Sequence, residues 1–563
     1  MRHSRAAYVA LVAVRLLLAV CPAYIHPDEF FQAPEVAAGD ILGLDALRTW
    51  EFAPHAPTRA IAPIYLYAGT PLVVLRAARW LLQLELTPWR LMCVGRLFMA
   101  ALSLTVDACV LRARRRLNPG AQLQSTLLLL ATSHCLAVLC GHTFANAFAA
   151  IVLAACFDLL SLIEARCNTR RTPGSLILPC AAMGAMLALG AFTHITFGAF
   201  AVMPGAVAAA VLARHAPWNL LVVAGSGVAA ALVLVLADSM YYGSPTLTVL
   251  NNLHYNSRRD NLAAHGIHPW YMHLAVSMPA LFGPLVLLAA ARAWRWVRAP
   301  ALWPRTSYTS IAAAGSVLVG VAALSAVPHQ EPRFLIPALP GLVLCTWRWH
   351  RLAPARFWRL WILFNVVLAV GYGVLHQAGV VPVLGYVART SVLPAVACRA
   401  VPAAHPTEAV CTSSAMAGAT PARVRTTVLF VDTYMAPRHL LAQPAAHDAL
   451  QARVELRDLL AMDDAGIHRE IRRATPVSCS LLRQSTADQL VVRQVQPGLF
   501  ERTLVVLPMS ADMARVAPPG TADYELVPLY SHGPHVDFDH IAAVARRPWH
   551  RARLAVYGIC VDP

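Results

Sequence analysis

Long apolar segments alternate with short polar ones over roughly the first 380 residues of the chain. A helix that crosses a hydrocarbon core roughly 30 Å thick needs about 20 apolar residues, and segments of that length recur here. The pattern predicts about eleven transmembrane helices, near residues 6–25, 91–111, 122–140, 144–163, 175–195, 198–213, 219–237, 273–291, 309–327, 334–347 and 358–378. Because backbone polar groups in lipid must be satisfied within the protein, the expected form is a mainly α-helical, polytopic membrane bundle.

The apolar run from Ile61 to Leu82 is interrupted by two prolines, a glycine and two arginines. If this run crossed the membrane, the cluster from Arg112 to Arg116 would move to the luminal side, against the tendency of basic clusters to stay cytosolic. We therefore expect an amphipathic first loop that lies on the luminal membrane surface. The N-terminus is then cytosolic, and eleven crossings place the C-terminal part of the chain in the lumen.

The pattern changes after residue 380 to short segments in which apolar and polar residues alternate. The runs "TTVLFV" (426–431), "RTLVVLPM" (502–509) and "RARLAVYGICV" (551–561) predict β-strands, and a helical pattern lies around residues 445–473. These features indicate two domains: a transmembrane domain over residues 1–380 and a luminal mixed α/β domain over residues 381–563.

Four of the 13 cysteines fall in the second domain, at Cys398, Cys411, Cys479 and Cys560. An even number permits two disulfides if this domain faces an oxidising lumen. The sequence does not determine which cysteines pair.

Composition agrees with a membrane protein, because 58% of the residues are hydrophobic and only 13% are charged. The formal net charge of +17 raises the question of a nucleic-acid partner. The arginines, however, occur in short clusters between apolar runs, where they act as topology signals. We therefore expect no nucleic-acid partner.

Several polar motifs fall at helix ends that the predicted topology places on the luminal side. They are "HPDEFFQ" (26–32), "GHTFAN" (141–146), "THITF" (193–197), "YNSRRDNLAAHGIHP" (255–269), "PHQEPRFL" (328–335) and "GVLHQAGVVP" (373–382). Two adjacent carboxylates, Asp28 and Glu29, are costly beside hydrocarbon unless they are paired or used in function. A transporter would instead place polar residues near helix centres, and a non-catalytic scaffold would tolerate Asp28→Asn.

The motifs "HPDEFFQ", "HQEPRFL", "YN…DNLAAHG" and "LHQAGVV" closely resemble those of glycosyltransferase family 22 in the endoplasmic reticulum, in its fourth-mannose GPI mannosyltransferase subgroup. The resemblance extends from about Ile25 to Pro382, with a weaker similarity at residues 432–441. It implies a GT-C-type bundle that moves mannose from dolichyl-phosphate mannose to the third mannose of a GPI-anchor precursor, in an α1,2 linkage. The nearest alternative is another mannosyltransferase of the family, acting at the third GPI mannose or on an N-glycan precursor.

Two motifs depart from the family pattern. His142 and His194 stand where the family usually has arginine. Histidine is mostly uncharged near neutral pH, so the change is expected to weaken phosphate binding at these two loops.

An inverting transfer to an α-mannoside needs one base to take the proton of the acceptor hydroxyl. We assign this base to Asp28, with Glu29 as the alternate, and expect His26 to support it or contact substrate. Arg333 is the expected phosphate ligand, because a guanidinium binds phosphate oxygens with a planar fork. His329 and Glu331 are expected to orient Arg333 or to contact the donor.

Other residues receive weaker assignments from the same motifs. Arg258 and Arg259 are alternative phosphate ligands, and Asn256 is a substrate-binding candidate. His376 and Gln377 are assigned to the acceptor glycan. A lipid phosphate leaves as a stable anion and the sequence has no HExxH or CxxC motif that would demand a metal, so we expect no metal cofactor.

Overall fold

The computed structural model describes residues 2–118, 123–169, 173–298, 306–401, 407–413, 420–446, 450–486, 489–517, 523–538, 541 and 552–561. Up to Ser391 the described chain is almost entirely helical, and a mixed sheet follows. The fold class predicted from the hydrophobic pattern is therefore confirmed.

The helices of the first part are α1 (Arg2–Val20), α2 (Asp28–Phe31), α3 (Pro34–Leu42), α4 (Ile61–Ile64), α5 (Thr70–Leu82), α6 (Pro88–Leu117), α7 (Gln124–Thr132), α8 (His134–Ala137), α9 (Ala145–Asn168), α10 (Ile177–Thr193), α11 (Phe197–His215), α12 (Trp218–Tyr242), α13 (Thr248–Ser257), α14 (Arg259–Ala263), α15 (Met278–Phe282), α16 (Pro284–Arg298), α17 (Tyr308–Ser325), α18 (Ala338–Leu352), α19 (Ala355–Val370) and α20 (Val380–Ser391). Short π-helical turns lie at Tyr65–Gly69, between α4 and α5, at His273–Ser277, before α15, and at Gly371–Leu375, after α19.

The predicted number of about eleven spans is not confirmed. In the described part of the chain, seven helices have the length and composition to cross a membrane, or eight if the bent pair α7–α8 counts as one span. Several predicted spans are short or broken. Helix α10 has 17 residues, and α7 and the following segment meet at 62°. Helix α15 ends at Phe282, because the next residue, Gly283, has a φ of +43° that interrupts the helix. Ile61–Leu82 is continuous over 22 residues and passes the same test, so its expected surface position stays a prediction.

Within its described residues, the second part contains a mixed ten-stranded sheet. Its strands are β1 (Ala397–Ala400), β2 (Glu408–Thr412), β3 (Thr420–Pro421), β4 (Arg423–Phe430), β5 (Ala452–Asp458), β6 (Val477–Ser478), β7 (Leu490–Gln496), β8 (Leu499–Pro508), β9 (Glu525–His532) and β10 (Leu554–Val561). Strand β8 pairs in parallel with β4 and antiparallel with β10. Two helices accompany the sheet, α21 (Asp464–Arg472) and α22 (Cys479–Gln484).

Three predicted strands are confirmed as β4, β8 and β10, but the helical prediction around residues 445–473 is only partly right. Residues 452–458 form strand β5, because Ala452, Val454 and Leu456 alternate with more exposed positions and bury every second side chain. The helix is confined to α21. The predicted pair of disulfides is present: Cys398–Cys411 joins β1 to β2, and Cys479–Cys560 joins the start of α22 to β10.

A short segment of the second part, residues 432–441, packs against the loop that follows α1. The Tyr24 hydroxyl donates to the Met435 carbonyl over 3.0 Å. The backbone N–H groups of Arg438 and His439 donate to Glu35 Oε1 over 3.1 and 3.3 Å. The His439 ring also pairs with Glu35, which is fully buried. Through these contacts the sheet domain helps to fix the chain on both sides of α2.

Candidate active site

Asp28 begins the single helical turn α2, directly after the loop that leaves α1. The Asp28 carboxylate lines a cavity between the helices. Gln32, one turn later, donates a hydrogen bond from Nε2 to Asp28 Oδ2. His26 lies beside the same carboxylate, with Nδ1 3.7 Å from Oδ1.

Arg333 meets Asp28 at this point, although the two lie near opposite ends of the transmembrane part of the sequence. Arg333 Nη2 is 2.6 Å from Asp28 Oδ2. Its Nε atom donates to Glu331 Oε2, and the other oxygen of Glu331 is 2.9 Å from His329 Nε2. The turn Pro332–Leu335 that carries Arg333 thus presents a guanidinium held by two carboxylates.

These contacts decide the charge of each group. Burial acts to raise the pKa of Asp28, but the Arg333 guanidinium outweighs it and holds that pKa below its ordinary value. Burial and Arg333 compete in the same way at Glu331, whose pKa is also strongly lowered. The hydrogen bond to Glu331 raises the pKa of His329. Asp28 is therefore an ionised carboxylate that can accept a proton.

The cavity has a volume of about 350 Å³. Its walls come from α2, the loop between α3 and α4, the turn between α10 and α11, α13, the end of α17 and the turn that carries Arg333. Its polar lining includes Asp28, Gln32, Glu51, Arg59, His194, Asn252, Asn256, His329, Glu331 and Arg333. A space of this size fits the range of small-ligand sites.

A second guanidinium in this cavity, Arg59, is absent from the sequence-based assignments. Arg59 donates from Nε and Nη2 to Glu51 Oε1 over 2.9 and 2.7 Å. Its charge is one of the influences that lower the pKa of Asp28. Arg59 and Glu51 lie in a loop without a recognisable motif, and only folding of that loop over α13 brings them to the cavity.

His194 also lines the cavity, as its motif position suggested. Burial, followed by the nearby charges of Arg59 and Arg333, lowers its pKa to about 3. A neutral imidazole at this position agrees with the expectation that the loop contributes little charge for phosphate binding.

Glu29 does not reach the cavity, which corrects its assignment as the alternate base. Consecutive residues of a helix point about 100° apart, so the turn that directs Asp28 into the cavity directs Glu29 into the bundle. Glu29 is fully buried and accepts two hydrogen bonds from Arg96, over 2.6 and 3.0 Å. His142 Nδ1 lies 2.8 Å from Glu29 Oε2. Glu29 thus anchors the site loop to α6 and the segment after α8.

The assignment of Arg258 and Arg259 as alternative phosphate ligands stays a prediction. Helix α13 ends at Ser257, and both arginine side chains are exposed and outside the cavity lining. Asn256, one residue earlier, does line the cavity.

His376 and Gln377 are corrected as acceptor contacts, because both are buried against the sheet domain. Thr433 donates to Gln377 Oε1 over 2.7 Å, and the His376 ring stacks on Phe538 with ring centres 5.3 Å apart. Neither residue lines the cavity.

The sequence is also similar to that of known proteins. Residues 6–422 match the Alg9-like mannosyltransferase family. The chain is 30% identical to GPI mannosyltransferase 4 of Aspergillus oryzae, covering 95% of this chain and 94% of that protein. It is 34% identical to GPI alpha-1,2-mannosyltransferase 4 of Homo sapiens, covering 84% and 81%.

A solved structure shares the fold. The crystal structure of ArnT from Cupriavidus metallidurans bound to undecaprenyl phosphate aligns with a TM-score of 0.50 at 13% identity, over 98% of this chain and 97% of that one. The sequence matches confirm the family that the motifs indicated. The chain therefore belongs to the Alg9-like mannosyltransferase family and is a membrane-embedded glycosyltransferase.

Proposed function

We propose that this enzyme transfers mannose from dolichyl-phosphate mannose to the third mannose of a GPI-anchor precursor, adding the fourth mannose in an α1,2 linkage. The names of the similar fungal and human proteins support this acceptor and linkage. The observation that carries the proposal is the contact of 2.6 Å between Asp28 and Arg333 inside the cavity. It places a proton acceptor next to a cation that suits a departing phosphate.

One displacement with inversion accounts for the reaction when the donor is a β-linked mannosyl phosphate. The 2-hydroxyl oxygen of the acceptor mannose attacks C1 of the donor mannose as the bond from C1 to the phosphate oxygen breaks. Asp28 takes the hydroxyl proton, and dolichyl phosphate leaves as an anion that needs no proton. The lowered pKa of Asp28 keeps it in the required ionised form.

Arg333 meets the charge that develops on the leaving phosphate. Glu331 holds its Nε atom, so the outer nitrogens of the guanidinium point toward Asp28 and the cavity. A bound phosphate competes with Asp28 for these nitrogens, and this competition frees the carboxylate oxygen for the acceptor proton. Arg59 supplies a second fixed positive charge in the same cavity.

An apolar groove next to this cavity suits the polyisoprenoid tail of the donor. The groove has a volume of about 620 Å³ and lies between α15, α16, α17 and α18, with Trp270, Met278 and Val321 among its lining residues. The end of α17 separates the two spaces: Ser325 faces the groove, while Leu324 faces the polar cavity. A phosphate bound near Arg333 can therefore carry its tail into the groove.

We further propose that the protein lies in the endoplasmic reticulum membrane with a cytosolic N-terminus, and that the cavity and the sheet domain face the lumen. The two disulfides support this side for the sheet domain, because disulfides persist in an oxidising compartment. The arginine clusters that follow predicted spans support the cytosolic side for the opposite loops.

We propose no metal cofactor for the reaction, because two guanidinium groups already face the cavity where the phosphate charge develops. Among the described residues, the one cluster with metal-ligand spacing is Cys479, Glu525 and Cys560, and its two cysteines form a disulfide.

The test uses microsomes that lack the native activity and contain this protein, supplied with labelled dolichyl-phosphate mannose and a three-mannose GPI precursor. We expect a four-mannose product whose new linkage is cleaved by an α1,2-specific mannosidase, and we expect Asp28→Asn to abolish it. Precursors with two GPI mannoses and an N-glycan precursor are assayed in parallel. Transfer to one of these instead would assign the enzyme to another branch of the family, and a folded protein without any transfer would refute the proposal.

A further inference from the structure

Three aromatic side chains form one wall of the cavity. Trp50, on the turn Trp50–Phe52, stacks on Tyr255 of α13 with ring centres 4.2 Å apart and planes 24° apart. His265 lies 5.9 Å from Trp50 at 30°. We call Trp50, Tyr255 and His265 the aromatic platform. All three line the same cavity as Asp28, and 46% of the Trp50 surface is exposed.

Hydrogen bonds hold the aromatic platform in shape. The Asn251 and Asn252 side chains donate to the carbonyls of Pro57 and Thr58 over 2.9 and 3.2 Å, and so fasten α13 to the loop that carries Trp50. The Tyr255 hydroxyl and His265 Nε2 are 2.9 Å apart. An exposed tryptophan that is held in place by the residues packed against it is pre-organised for a ligand, because little side-chain entropy remains to be lost on binding.

Polar groups surround the aromatic platform. Glu51 follows Trp50 in the chain, and both hydrogen bonds from Arg59 end on its Oε1 atom. No bond to Glu51 Oε2 is seen from the described residues, so this oxygen remains an acceptor at the cavity surface. The Asn256 amide nitrogen donates to Asn252, which leaves the Asn256 carbonyl oxygen as another acceptor.

This combination fits one class of ligand. A pyranose ring has an apolar C–H face, which packs on an aromatic ring, and a rim of hydroxyl groups, which donate to carboxylate and amide oxygens. We propose that the aromatic platform, with Glu51 and Asn256, binds a hexopyranose of the acceptor glycan. This inference rests on the proposed mannose transfer and names the site that presents the acceptor hydroxyl to Asp28.

The elements that carry these residues favour the acceptor over the donor sugar. The donor is held through its phosphate by the turn that contains Arg333 and through its tail by the groove beside α17. The aromatic platform belongs to other elements, the loop after α3 and the segment from α13 to His265. Apart from Arg59, which lies on the same loop as Trp50 and adds a positive charge for the phosphate, the groups assigned to the two substrates therefore belong to separate elements.

Steady-state kinetics with purified full-length enzyme test the inference. Trp50→Ala is compared with Trp50→Phe, which keeps an aromatic face, and with Trp89→Ala, an equally exposed tryptophan (45%) outside the cavity. We expect Trp50→Ala to raise the KM for the three-mannose precursor about tenfold, with an unchanged KM for the donor. Trp50→Phe should recover part of the effect, and Trp89→Ala should match the wild type.

The kinetic results distinguish failure of this inference from failure of the proposed function. An unchanged acceptor KM in Trp50→Ala, or a rise confined to the donor KM, overturns the inference while wild-type transfer leaves the proposed function intact. Absence of transfer by the wild type refutes the proposed function itself. If Trp50→Ala is lost from the membrane fraction, the inference is tested with Trp50→Phe and Glu51→Gln, because both preserve the shape of the wall. An acceptor KM equal to wild type in both variants overturns the inference. A raised acceptor KM supports it.

Discussion

Neutralising Asp28 and neutralising Glu29 are predicted to have different effects, although the two residues are adjacent in the chain. Asp28→Asn removes the proposed proton acceptor from the cavity, whereas Glu29→Gln removes one partner of a buried ion pair. Asp28 is 26% exposed, and Arg333 keeps its second partner Glu331 when the charge at Asp28 is lost. Glu29 and Arg96 are almost completely buried, so Arg96 would keep a charge facing only carbonyl groups and a histidine.

The two substitutions cost similar free energies, but Glu29→Gln affects folding and Asp28→Asn affects catalysis. Breaking a buried ion pair by removing one partner costs about 3–5 kcal/mol of folding free energy. The free energy of unfolding of a folded protein is only about 5–15 kcal/mol, so this loss removes a large part of it. We therefore expect a low yield of folded Glu29→Gln protein. Removing a general base costs about 10²- to 10⁴-fold in rate, or about 3–5 kcal/mol of activation free energy, with little effect on folding.

The assay measures both quantities on the same samples. Detergent-extracted protein is quantified as the monodisperse peak in size-exclusion chromatography, and mannose transfer is measured per mole of that peak. We expect Asp28→Asn to give a normal peak with little transfer, and Glu29→Gln to give a small peak with transfer per mole near wild type. Glu29→Gln combined with Arg96→Met should recover yield, because no unpaired charge then remains buried.

The reasoning is refuted if Glu29→Gln yields as much folded protein as the wild type yet transfers no mannose, since Glu29 would then contact substrate. It is equally refuted if Asp28→Asn transfers mannose at the wild-type rate.

Three further predictions follow from the fold and the site. Because the pKa of Asp28 is lowered in the free enzyme, the base stays ionised as pH falls, and the acid limb of the pH profile of kcat/KM should lie below about pH 4; a limb near pH 6 to 7 would identify a histidine as the base instead. Replacing both Cys479 and Cys560 with serine removes a disulfide between residues 81 apart and should lower the free energy of unfolding by about 4.5 kcal/mol. The expected readout is a lower thermal midpoint of the sheet domain, and an unchanged midpoint would contradict this prediction. Alanine at Arg258 and Arg259 should leave donor KM and kcat within about twofold of wild type, since both side chains lie outside the cavity; a large rise in donor KM would return them to the phosphate site.

The core of the site could be predicted because two motifs carry its chemistry. "HPDE" and "HQEPRF" each combine acidic and basic residues at helix ends, and a shared side of the membrane is enough to predict that they meet. The contact between Asp28 and Arg333 agrees with that prediction. The partners of Glu29 could not be predicted, since an arginine within the apolar sequence of α6 does not reveal which carboxylate it faces.

The remaining differences arise from information that a hydrophobic pattern does not contain. Apolar length predicts where lipid-facing or buried helices occur, but breaks such as Ser133 and Gly283 divide a run without changing its average hydropathy. Arg59 reaches the cavity because its loop is fastened to α13 by side-chain amides, an arrangement that depends on tertiary contacts. Periodicity also failed at β5, where a seven-residue alternation lies inside a longer helix-like composition.

The bonds between Glu35 and His439 join positions 404 residues apart in the chain. During synthesis the segment with Asp28 emerges among the first residues, yet its last neighbours are made only when about three quarters of the protein is complete. Contacts this distant in sequence form late, because much chain must first be ordered to close them. We therefore expect an unfinished polypeptide to form an inactive helical bundle in the membrane. Glycolipid modification should begin only once the C-terminal sheet has folded.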